Sequence, residues 1–315
     1  MHITVPLARL LVLAVILVNG WTDAPNAIAT AVGSGALTFR RGVVLAAVCN
    51  FAGAATACLC FPAVAATVGE LVDFSDPRAA VTALNAALLA IVIWAVAAWR
   101  FGLPTSESHA LLAGLSGGAL ALGGGFAQLN AGAWLRVLAG LALSLPAGAL
   151  AGRLFRRALT GRVRRPDRGQ RWAAALTALL HGAQDGQKFL ALLLLTDGLD
   201  GHASCSRLGL ALLTAGVMAL GTALGGKPIV EKVGTELADL SPTGGLAADL
   251  GAGAVLLACS ALGLPVSTTH AKVAAVCGAG RGASKAVMGQ MAGAWALTFP
   301  ACGAIAYGLT RLMMG

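Results

Sequence analysis

The sequence predicts an all-α, polytopic membrane protein with two inverted-topology repeats. Of its 315 residues, 57% are hydrophobic and only 11% are charged. Apolar runs of about 20 residues, the length of a membrane-spanning helix, recur along the chain. Two pairs of polar motifs interrupt these runs and recur in both halves. We therefore expect about 10–12 membrane segments, some of them broken or re-entrant helices.

The polar motifs define the repeat. The first motif reads NGWTDAPN around Asp23 and then HGAQDGQK around Asp185. The second reads GLPTSESH, which ends at His109, and then GLPVSTTH, which ends at His270. The interval between the two aspartates and the interval between the two histidines differ by a single position, and we call this spacing the repeat interval. Two ordered pairs at nearly one spacing predict a duplicated unit of about half the chain.

The predicted divisions of the chain follow from this duplication. They are a first transmembrane repeat at 1–155, a cytoplasmic arginine-rich loop at 156–171 and a second, inverted transmembrane repeat at 172–315.

Hydropathy divides the chain into ten apolar segments. Their predicted bounds are 5–37, 42–67, 79–99, 103–125, 133–154, 172–196, 207–226, 245–262, 265–280 and 287–313. The first and sixth carry the first polar motif, and both are expected to be interrupted there, because Gly and Pro loosen a membrane helix. The run at 10–18 resembles the apolar part of a signal peptide. The pattern resumes through Leu37, however, which favours a retained first segment.

Charge in the connections predicts the orientation. One side of the membrane receives most of the 22 basic residues, at Arg40, Arg41, Arg100, Lys227, Lys232, Arg281, Lys285 and the arginines of 153–171. The other side receives the acidic connections, with Glu70, Asp73, Asp76, Asp197 and Asp200. The positive-inside rule makes the arginine side cytoplasmic and places both termini outside. Five segments in each repeat then force opposite orientations, the architecture of many secondary transporters.

Composition also excludes several classes of protein. The net charge of +9 is concentrated between two apolar spans without interleaved aromatic residues, so it indicates membrane orientation and not nucleic-acid binding. The seven cysteines show no metal-ligand spacing and are interpreted as small core residues. The chain lacks a GxxxxGK[ST] motif for ATP, and the sequence predicts no cofactor.

The first motif supplies candidate ligands for a coupling ion. A carboxylate inside a membrane costs roughly 2.5–3.5 kcal/mol on insertion scales, so it is paired or lines a wet cavity. Asp23 and Asp185 are therefore candidates to bind a cation or a proton. Asn26, Gln184 and Gln187 add neutral oxygens and amide donors. The alternative is that these polar side chains only hold helices together.

The second motif is typical of a helix start that faces an anion. A proline followed by hydroxyl residues places donors beside the free N–H groups of the first turn. Two such starts that enter from opposite membrane faces would meet at one oxyanion near the midplane. Ordinary helix capping is the alternative. The candidate anion ligands are Ser106, Ser108, Ser267, Thr268 and Thr269, together with Gln184 and Lys188 of the first motif. Glu107, His109 and His270 of the second motif are candidates for the coupling ion or proton.

Two lysines and two histidines leave alternatives open. Lys188 stands one repeat interval after Asn26, where its ammonium would pair with Asp185 or attract the anion. Lys272 lies nearer a helix end and is expected to extend toward the membrane surface. His109 and His270 either relay protons or serve as hydrogen-bonded packing residues.

These motifs resemble those of the inorganic phosphate transporter family, the Pit or SLC20-like permeases. That family repeats a G-x-N-D-x-x-N-type motif and a G-x-P-x-S-T-T-H-type motif, and the resemblance covers essentially the whole chain. It implies a bacterial symporter that imports inorganic phosphate, with sodium or protons as the coupling cation. By position, the implied cation and substrate ligands are Asp23, Asn26, Asp185 and Gln187, and the implied phosphate ligands are Ser106, Ser108, Ser267, Thr268 and Thr269.

Three departures from the family pattern bear on coupling. Thr22 replaces an asparagine, Glu107 replaces a hydroxyl residue, and Lys188 stands where the family commonly has asparagine. A sodium ion bound by Asp23, Asn26 and Asp185 is one interpretation of the coupling site. Because a fixed ammonium can substitute for a bound cation, Lys188 favours proton coupling. Some relatives carry sulfate, so the anion class is better defined than the anion.

Two other functions fit the motifs less well. An intramembrane aspartyl hydrolase would use two aspartates as an acid–base dyad, but it would not require the hydroxyl-rich motifs, and those enzymes commonly show Gly-x-Gly-Asp where this chain has GWTD and GAQD. A channel is disfavoured because interrupted helices with paired charges are typical of alternating access. We therefore expect a transporter in the bacterial cytoplasmic membrane, active as a monomer or a homodimer.

Overall fold

A computed structural model describes residues 4–72, 76–123, 128–200 and 205–314, and helices dominate this part of the chain. The acidic Asp73 lies outside it. A π-helical turn, Lys232–Glu236, follows the tenth helix. The helices are α1 (Thr4–Thr22), α2 (Asn26–Gly33), α3 (Phe39–Cys60), α4 (Ala63–Gly69), α5 (Pro77–Arg100), α6 (Glu107–Ala121), α7 (Ala131–Leu159), α8 (Pro166–Asp200), α9 (Arg207–Leu224), α10 (Lys227–Glu231), α11 (Pro242–Ala261), α12 (Thr268–Ala279) and α13 (Lys285–Met314).

The helical bundle is suited to a bilayer. Seven helical segments within the described residues are long and apolar enough to span a membrane. Large apolar side chains such as Leu10, Val48 and Leu135 are exposed on the outside of the bundle. Polar side chains such as Asn50 and Asp185 are buried inside it instead. This inversion of the pattern of a soluble protein identifies an integral membrane protein.

Only one copy of the first motif breaks its helix. In the first half, α1 ends at Thr22 and α2 begins at Asn26, with Pro25 between them. In the second half, α8 continues from Pro166 to Asp200, so the interruption predicted within 172–196 is wrong. The position equivalent to Pro25 is Gln187. Glutamine keeps its backbone N–H and has no ring that clashes with the preceding turn, so the helix continues.

The helices that follow the second motif are short. Helix α6 has 15 residues and α12 has 12, which correspond to lengths of about 22 and 18 Å at 1.5 Å per residue. Neither reaches the thickness of a hydrocarbon core, about 30 Å. The expectation of partial or re-entrant helices is met here, because both begin inside the bundle.

Helix packing relates the two halves reciprocally. Helix α6 packs against α13, while its counterpart α12 packs against α7. In the same way α1 contacts α5 and α8 contacts α11. Each of these contacts therefore has a counterpart with the halves exchanged, which is the pattern expected of two repeats around a twofold axis.

The arginine-rich connection is shorter than the predicted loop at 156–171. Helix α7 continues to Leu159 and α8 begins at Pro166, so that only residues 160–165 lie between them. Arginine is a good helix former, and charges at a helix end reach water beyond the membrane. Hydropathy marked where the apolar span ends and not where the helix ends.

The cysteines are only partly core residues. All seven are free thiols. Cys58 and Cys302 are buried, as predicted, whereas Cys60 and Cys205 are exposed. A cysteine in an apolar stretch faces either the core or the lipid, and composition does not distinguish the two faces.

Glycines permit the close contact between α3 and α8. A Cβ atom on Gly53 would lie 1.9 Å from the Leu179 carbonyl oxygen. A Cβ atom on Gly182 would lie 2.3 Å from the Asn50 carbonyl oxygen. Both approaches are to backbone, which cannot move aside as a side chain can. Small residues therefore set the separation of these helices.

We expect Gly53→Ala or Gly182→Ala to lower the free energy of unfolding by roughly 1–3 kcal/mol, the usual cost of overpacking. Melting of the purified protein in detergent measures the effect. Gly216→Ala is the matched control, because a Cβ atom there has no neighbour within 4 Å. Equal melting temperatures for all three variants would contradict the assigned contact.

Candidate functional site

Asp23 is held by side chains from both halves of the chain. It lies between α1 and α2, and only 4% of it is exposed. Its Oδ1 accepts a hydrogen bond from Asn26 Nδ2 at 2.9 Å and another from the Thr269 hydroxyl. Its Oδ2 accepts a hydrogen bond from Thr268 Oγ1 at 3.0 Å. The aspartate motif of the first half is therefore joined to the hydroxyl motif of the second.

Asp185 has the reciprocal arrangement. Lys188 Nζ lies 2.6 Å from Asp185 Oδ1, one helical turn away on α8. The same ammonium donates to Ser108 Oγ at 2.8 Å and to the Val266 carbonyl at 2.7 Å. All three side chains are buried. The aspartate motif of the second half thus meets the hydroxyl motif of the first, with an ammonium group in place of the Asn26 amide.

Backbone contacts repeat the same exchange. Ser108 Oγ donates to the Val266 carbonyl at 2.9 Å, and Thr269 Oγ1, whose single proton is directed to Asp23, also contacts the Thr105 carbonyl at 3.0 Å. Thr269 follows Ser108, and Val266 follows Thr105, by the repeat interval. A contact in which each half gives the other the same group is the mark of twofold-related partners. The motifs duplicated in the sequence therefore meet at one candidate site shared by both halves.

His181 joins the two aspartates, although the sequence motifs did not single it out. Its Nε2 lies 3.4 Å from Asp185 Oδ2 and 3.8 Å from Asp23 Oδ2. Its Nδ1 lies 3.1 Å from Asn50 Oδ1. The repeat contained the signal, because His181 follows Asn19 by the repeat interval, and Asn19 Nδ2 donates to Asp185 Oδ2 at 3.2 Å.

The starts of α6 and α12 contain two capping serines and one buried carboxylate. Ser106 Oγ accepts from the His109 N–H at 3.3 Å, and Ser267 Oγ accepts from the His270 N–H at 3.1 Å. Both serines are therefore helix caps, as in the alternative considered for this motif. Glu107 is buried at the start of α6, and its Oε1 has no hydrogen-bond partner among the described residues.

The two glutamines are directed away from both aspartates. Gln184 Nε2 donates to the Leu264 carbonyl at 2.9 Å, and its Oε1 accepts from Ser260 Oγ at 2.5 Å. Gln187 Oε1 accepts from the Val64 N–H at 3.0 Å. Their amides fasten the loop before α12 and the start of α4. Of the predicted amide ligands, only Asn26 contacts an aspartate.

His109 and His270 lie in a buried aromatic cluster. Their ring centroids are 4.7 Å apart in an edge-to-face arrangement. His109 also stacks near Phe299, and His270 near Trp295, with centroid separations of 4.7 and 4.1 Å. The rings therefore pack against aromatic neighbours, and the choice between packing and proton relay stays a prediction.

Lys272 does not extend to the membrane surface, so that prediction is wrong. It is 2% exposed, and its Nζ forms an ion pair with Asp249 Oδ1. It also donates to Thr30 Oγ1 at 3.0 Å and to the Ala27 carbonyl at 3.1 Å. The partner carboxylate belongs to a different helix, α11, and hydropathy along the chain does not report such a pairing.

The site places candidate ligands for a cation beside candidate donors for an anion. Ligand atoms of Asp23, His181 and Asp185 lie within 4.8 Å of one another, close enough to share one metal ion. Asn19 Oδ1 and Asn26 Oδ1 are buried without partners among the described residues, so each is a free acceptor. The hydroxyl motifs and Lys188 provide donors on the adjoining side. All of these groups are closed off from solvent.

Comparison with known proteins identifies the family. The sequence model of the phosphate transporter family matches residues 19–173 and 163–306. The chain is 32% identical to the "Probable low-affinity inorganic phosphate transporter" of Bacillus subtilis, with 94% of each chain covered. The chain belongs to the phosphate transporter family. This membership agrees with the prediction of a transporter and not of an intramembrane hydrolase.

Other members of the phosphate transporter family are also similar to this chain in sequence or in structure. Proteins of the same name are 33% identical in Mycobacterium tuberculosis, over 94% of this chain and 75% of the relative, and in Rhizobium meliloti, over 91% and 90%. A solved structure named "The sodium-dependent phosphate transporter" superposes with a TM-score of 0.84 over 100% of this chain and 99% of that one. Its sequence identity is 21%, so this likeness establishes the fold.

Proposed function

We propose that this protein is a secondary symporter that imports inorganic phosphate by alternating access around the site between its two repeats. The observation that carries this proposal is the reciprocal joining of each aspartate motif to the hydroxyl motif of the other half. A site built from both repeats changes its access when one repeat moves against the other. Family membership and the names of the relatives support phosphate as the substrate.

The chemistry of the hydroxyl motifs suits a tetrahedral oxyanion. Helices α6 and α12 both begin at the site, and the free N–H groups of a first helical turn suit an anion. Ser108, Thr268 and Thr269 add hydroxyl donors, and Lys188 adds a positive charge. Sulfate presents the same geometry, so it is the alternative substrate within this proposal.

Cation binding and anion binding are linked through Asp23. In the structure the hydroxyls of Thr268 and Thr269 donate to its carboxylate. A proton or cation on Asp23 would weaken its attraction for both donors, because hydrogen bonds to an ionised acceptor are about twice as strong as neutral ones. The released hydroxyls would then turn to the phosphate. This exchange gives symport a physical basis.

Lys188 and His181 favour a proton as the coupling ion. The ammonium group of Lys188 already occupies Asp185 Oδ1, the place that a second cation would take. The imidazole of His181 contacts both aspartates and titrates near neutral pH in its unperturbed state. Sodium at Asp23, Asn26 and Asp185 is the alternative, and the solved relative is itself named as sodium-dependent.

The proposed orientation follows from the basic residues. The arginine side, at the junction of α7 and α8, would face the cytoplasm of a bacterium, and both termini would face outward. The two repeats would then cross the membrane in opposite directions.

Uptake into proteoliposomes tests this proposal. Purified protein is reconstituted, and labelled phosphate is offered under an imposed proton gradient, an imposed sodium gradient, or neither. We expect accumulation with the proton gradient and competition by excess unlabelled phosphate. Sulfate uptake that excess phosphate leaves unchanged would overturn the substrate, and uptake driven by sodium alone would overturn the coupling ion.

We expect His181→Gln to abolish uptake driven by the proton gradient while phosphate–phosphate exchange across the vesicle membrane continues. Glutamine keeps hydrogen-bonding capacity but cannot carry the proton between the two aspartates. Gln184→Ala is the control, since that side chain is directed away from both aspartates. Gradient-driven accumulation by His181→Gln at the wild-type rate would exclude His181 as the coupling group.

A further inference from the structure

A buried ion pair lies outside the site described above. Lys272 Nζ contacts three acceptors, which are Asp249 Oδ1, Thr30 Oγ1 and the Ala27 carbonyl. Thr30 Oγ1 also donates to Asp249 Oδ1 at 2.6 Å. Asp249 is 1% exposed, and its Oδ2 has no hydrogen-bond partner among the described residues. The pair therefore joins α2, α11 and α12 through one carboxylate oxygen and leaves the other oxygen unused.

The pair lies between the midplane site and a cavity on the arginine side. On α2, Asn26 contacts Asp23, Thr30 follows one turn later at the ion pair, and Gly33 lines the cavity. On α12, Lys272 likewise follows Thr268 by one turn. One turn advances by about 5.4 Å. The order along α2 is therefore site, ion pair, cavity, and α12 follows the same direction from the site to the pair.

The cavity wall carries two arginines and one aspartate, Asp239, so its lining has a net positive charge, and its volume is sufficient for a hydrated anion. Its volume is about 780 Å³, and Arg156 and Arg281 contribute to its wall. Ser241 and Thr243, at the start of α11, lie on the same wall. Asp249 is two turns further along α11, so the helix that carries the carboxylate begins in the cavity.

The place related to this ion pair by the repeat has no charges. The repeat interval relates Asp249 and Lys272 to leucines, and it relates Ala27 and Thr30 to large apolar residues. All four counterparts are buried members of one hydrophobic cluster: Leu88, Leu111, Phe189 and Leu192. The Lys272–Asp249 ion pair is thus found only on the arginine side of the site among the described residues at these two places, and this asymmetry suggests that the pair has a function there.

We propose that Lys272 is a second, transient binding group for the transported oxyanion, on the arginine side of the midplane site. The inference rests on the proposed phosphate transport. An anion that leaves the hydroxyl motifs needs a cation nearby, because a bare charge inside a membrane protein is costly. Lys272 provides it by exchanging the Asp249 carboxylate for the anion. Asp249, which uses only one oxygen, holds the ammonium group in the anion's absence.

The exchange predicts a small effect when Asp249 alone is neutralised and a large loss of rate when Lys272 is neutralised as well. Asp249→Asn removes the competing charge and keeps an oxygen for Lys272, which retains Thr30 and the Ala27 carbonyl as acceptors. We expect this variant to keep phosphate uptake within about twofold of wild type, a difference of less than about 1 kcal/mol. Asp249→Asn with Lys272→Gln keeps a neutral hydrogen-bonded pair but no ammonium group. We expect its maximal rate to fall by about tenfold or more.

A measurement of phosphate binding to the midplane site distinguishes loss of the second binding group from misfolding. Stabilisation of each purified variant against heat by added phosphate reports that binding, and we expect it to be unchanged in both variants. Equal losses of rate in the two variants would show a merely structural ion pair and overturn the inference. So would a wild-type rate in the neutral double variant, or loss of phosphate stabilisation in it. Absence of uptake by the wild-type protein would instead overturn the proposed function.

Discussion

Replacing Asp23 or Asp185 with asparagine is expected to reduce phosphate uptake into proteoliposomes to the level of protein-free vesicles. Each variant removes one of the two carboxylates that His181 joins. Asp23→Asn also removes the charge to which Thr268 and Thr269 donate, so that cation binding no longer controls these hydroxyls. Both the coupling ion and the response of the anion site are therefore lost together.

The two variants are expected to differ in stability. Asp23 accepts hydrogen bonds from neutral donors, and asparagine can retain some of them. Asp185 instead balances the charge of Lys188 at 2.6 Å. Removing one partner of a buried ion pair typically costs about 3–5 kcal/mol. Asp185→Asn should therefore melt at a clearly lower temperature than Asp23→Asn.

Asp197→Asn provides the control for a carboxylate outside the site. Asp197 lies more than three turns beyond Asp185 on α8, about 18 Å along the helix axis, and pairs with Arg9 at 3.0 Å. We expect this variant to transport phosphate at nearly the wild-type rate. Uptake by Asp23→Asn equal to that of Asp197→Asn would remove Asp23 from the mechanism.

The sequence predicts which motifs form the site, but it does not predict how these motifs pair across the repeats. Matching intervals located Asp23, Asp185 and the hydroxyl motifs, and the structure brings them together. The intervals did not reveal which motif meets which. That exchange depends on the packing of α6 and α12 inside the bundle, which is a property of tertiary structure.

Hydropathy misplaced Lys272 for a related reason. A window along the chain averages neighbours in sequence, whereas the charge of this lysine is balanced by Asp249 on another helix. A related limitation explains the helix break wrongly predicted near Gln187. Gly and polar residues weaken a membrane helix without ending it, and of the two copies of the first motif only the first contains a proline, Pro25, whose nitrogen has no hydrogen to donate.

Lys188 and Glu107 are two departures from symmetry that compensate each other. Their counterparts in the other half are Asn26 and Thr268, which are both neutral. Glu107 is buried within electrostatic range of Asp23, Asp185 and Lys188. With Asp185 and Glu107 both ionised, the added ammonium and the added carboxylate leave the surroundings of Asp185 with the same formal charge as those of Asp23. We therefore infer that the two residues act as a unit.

Lys188→Asn alone is expected to reduce phosphate uptake by about tenfold or more, because it leaves the carboxylates of Asp185 and Glu107 buried without their cation. Lys188→Asn combined with Glu107→Thr makes the residues around Asp185 copy those around Asp23. This double variant is expected to recover uptake and to require sodium, since Asp185 Oδ1 becomes free for a metal ion. Initial rates with and without external sodium, at a fixed proton gradient, measure both effects.

The double variant discriminates between two roles for Lys188. If the ammonium group serves mainly as a phosphate ligand, removing Glu107 cannot restore uptake, and both variants stay inactive at every sodium concentration. If it serves as a built-in cation, a soluble cation replaces it and the double variant becomes sodium-dependent. Recovery without a sodium requirement would contradict both roles and would assign the coupling to the proton at His181 alone. The residue that breaks the symmetry of the site is therefore the one whose removal best identifies the coupling ion.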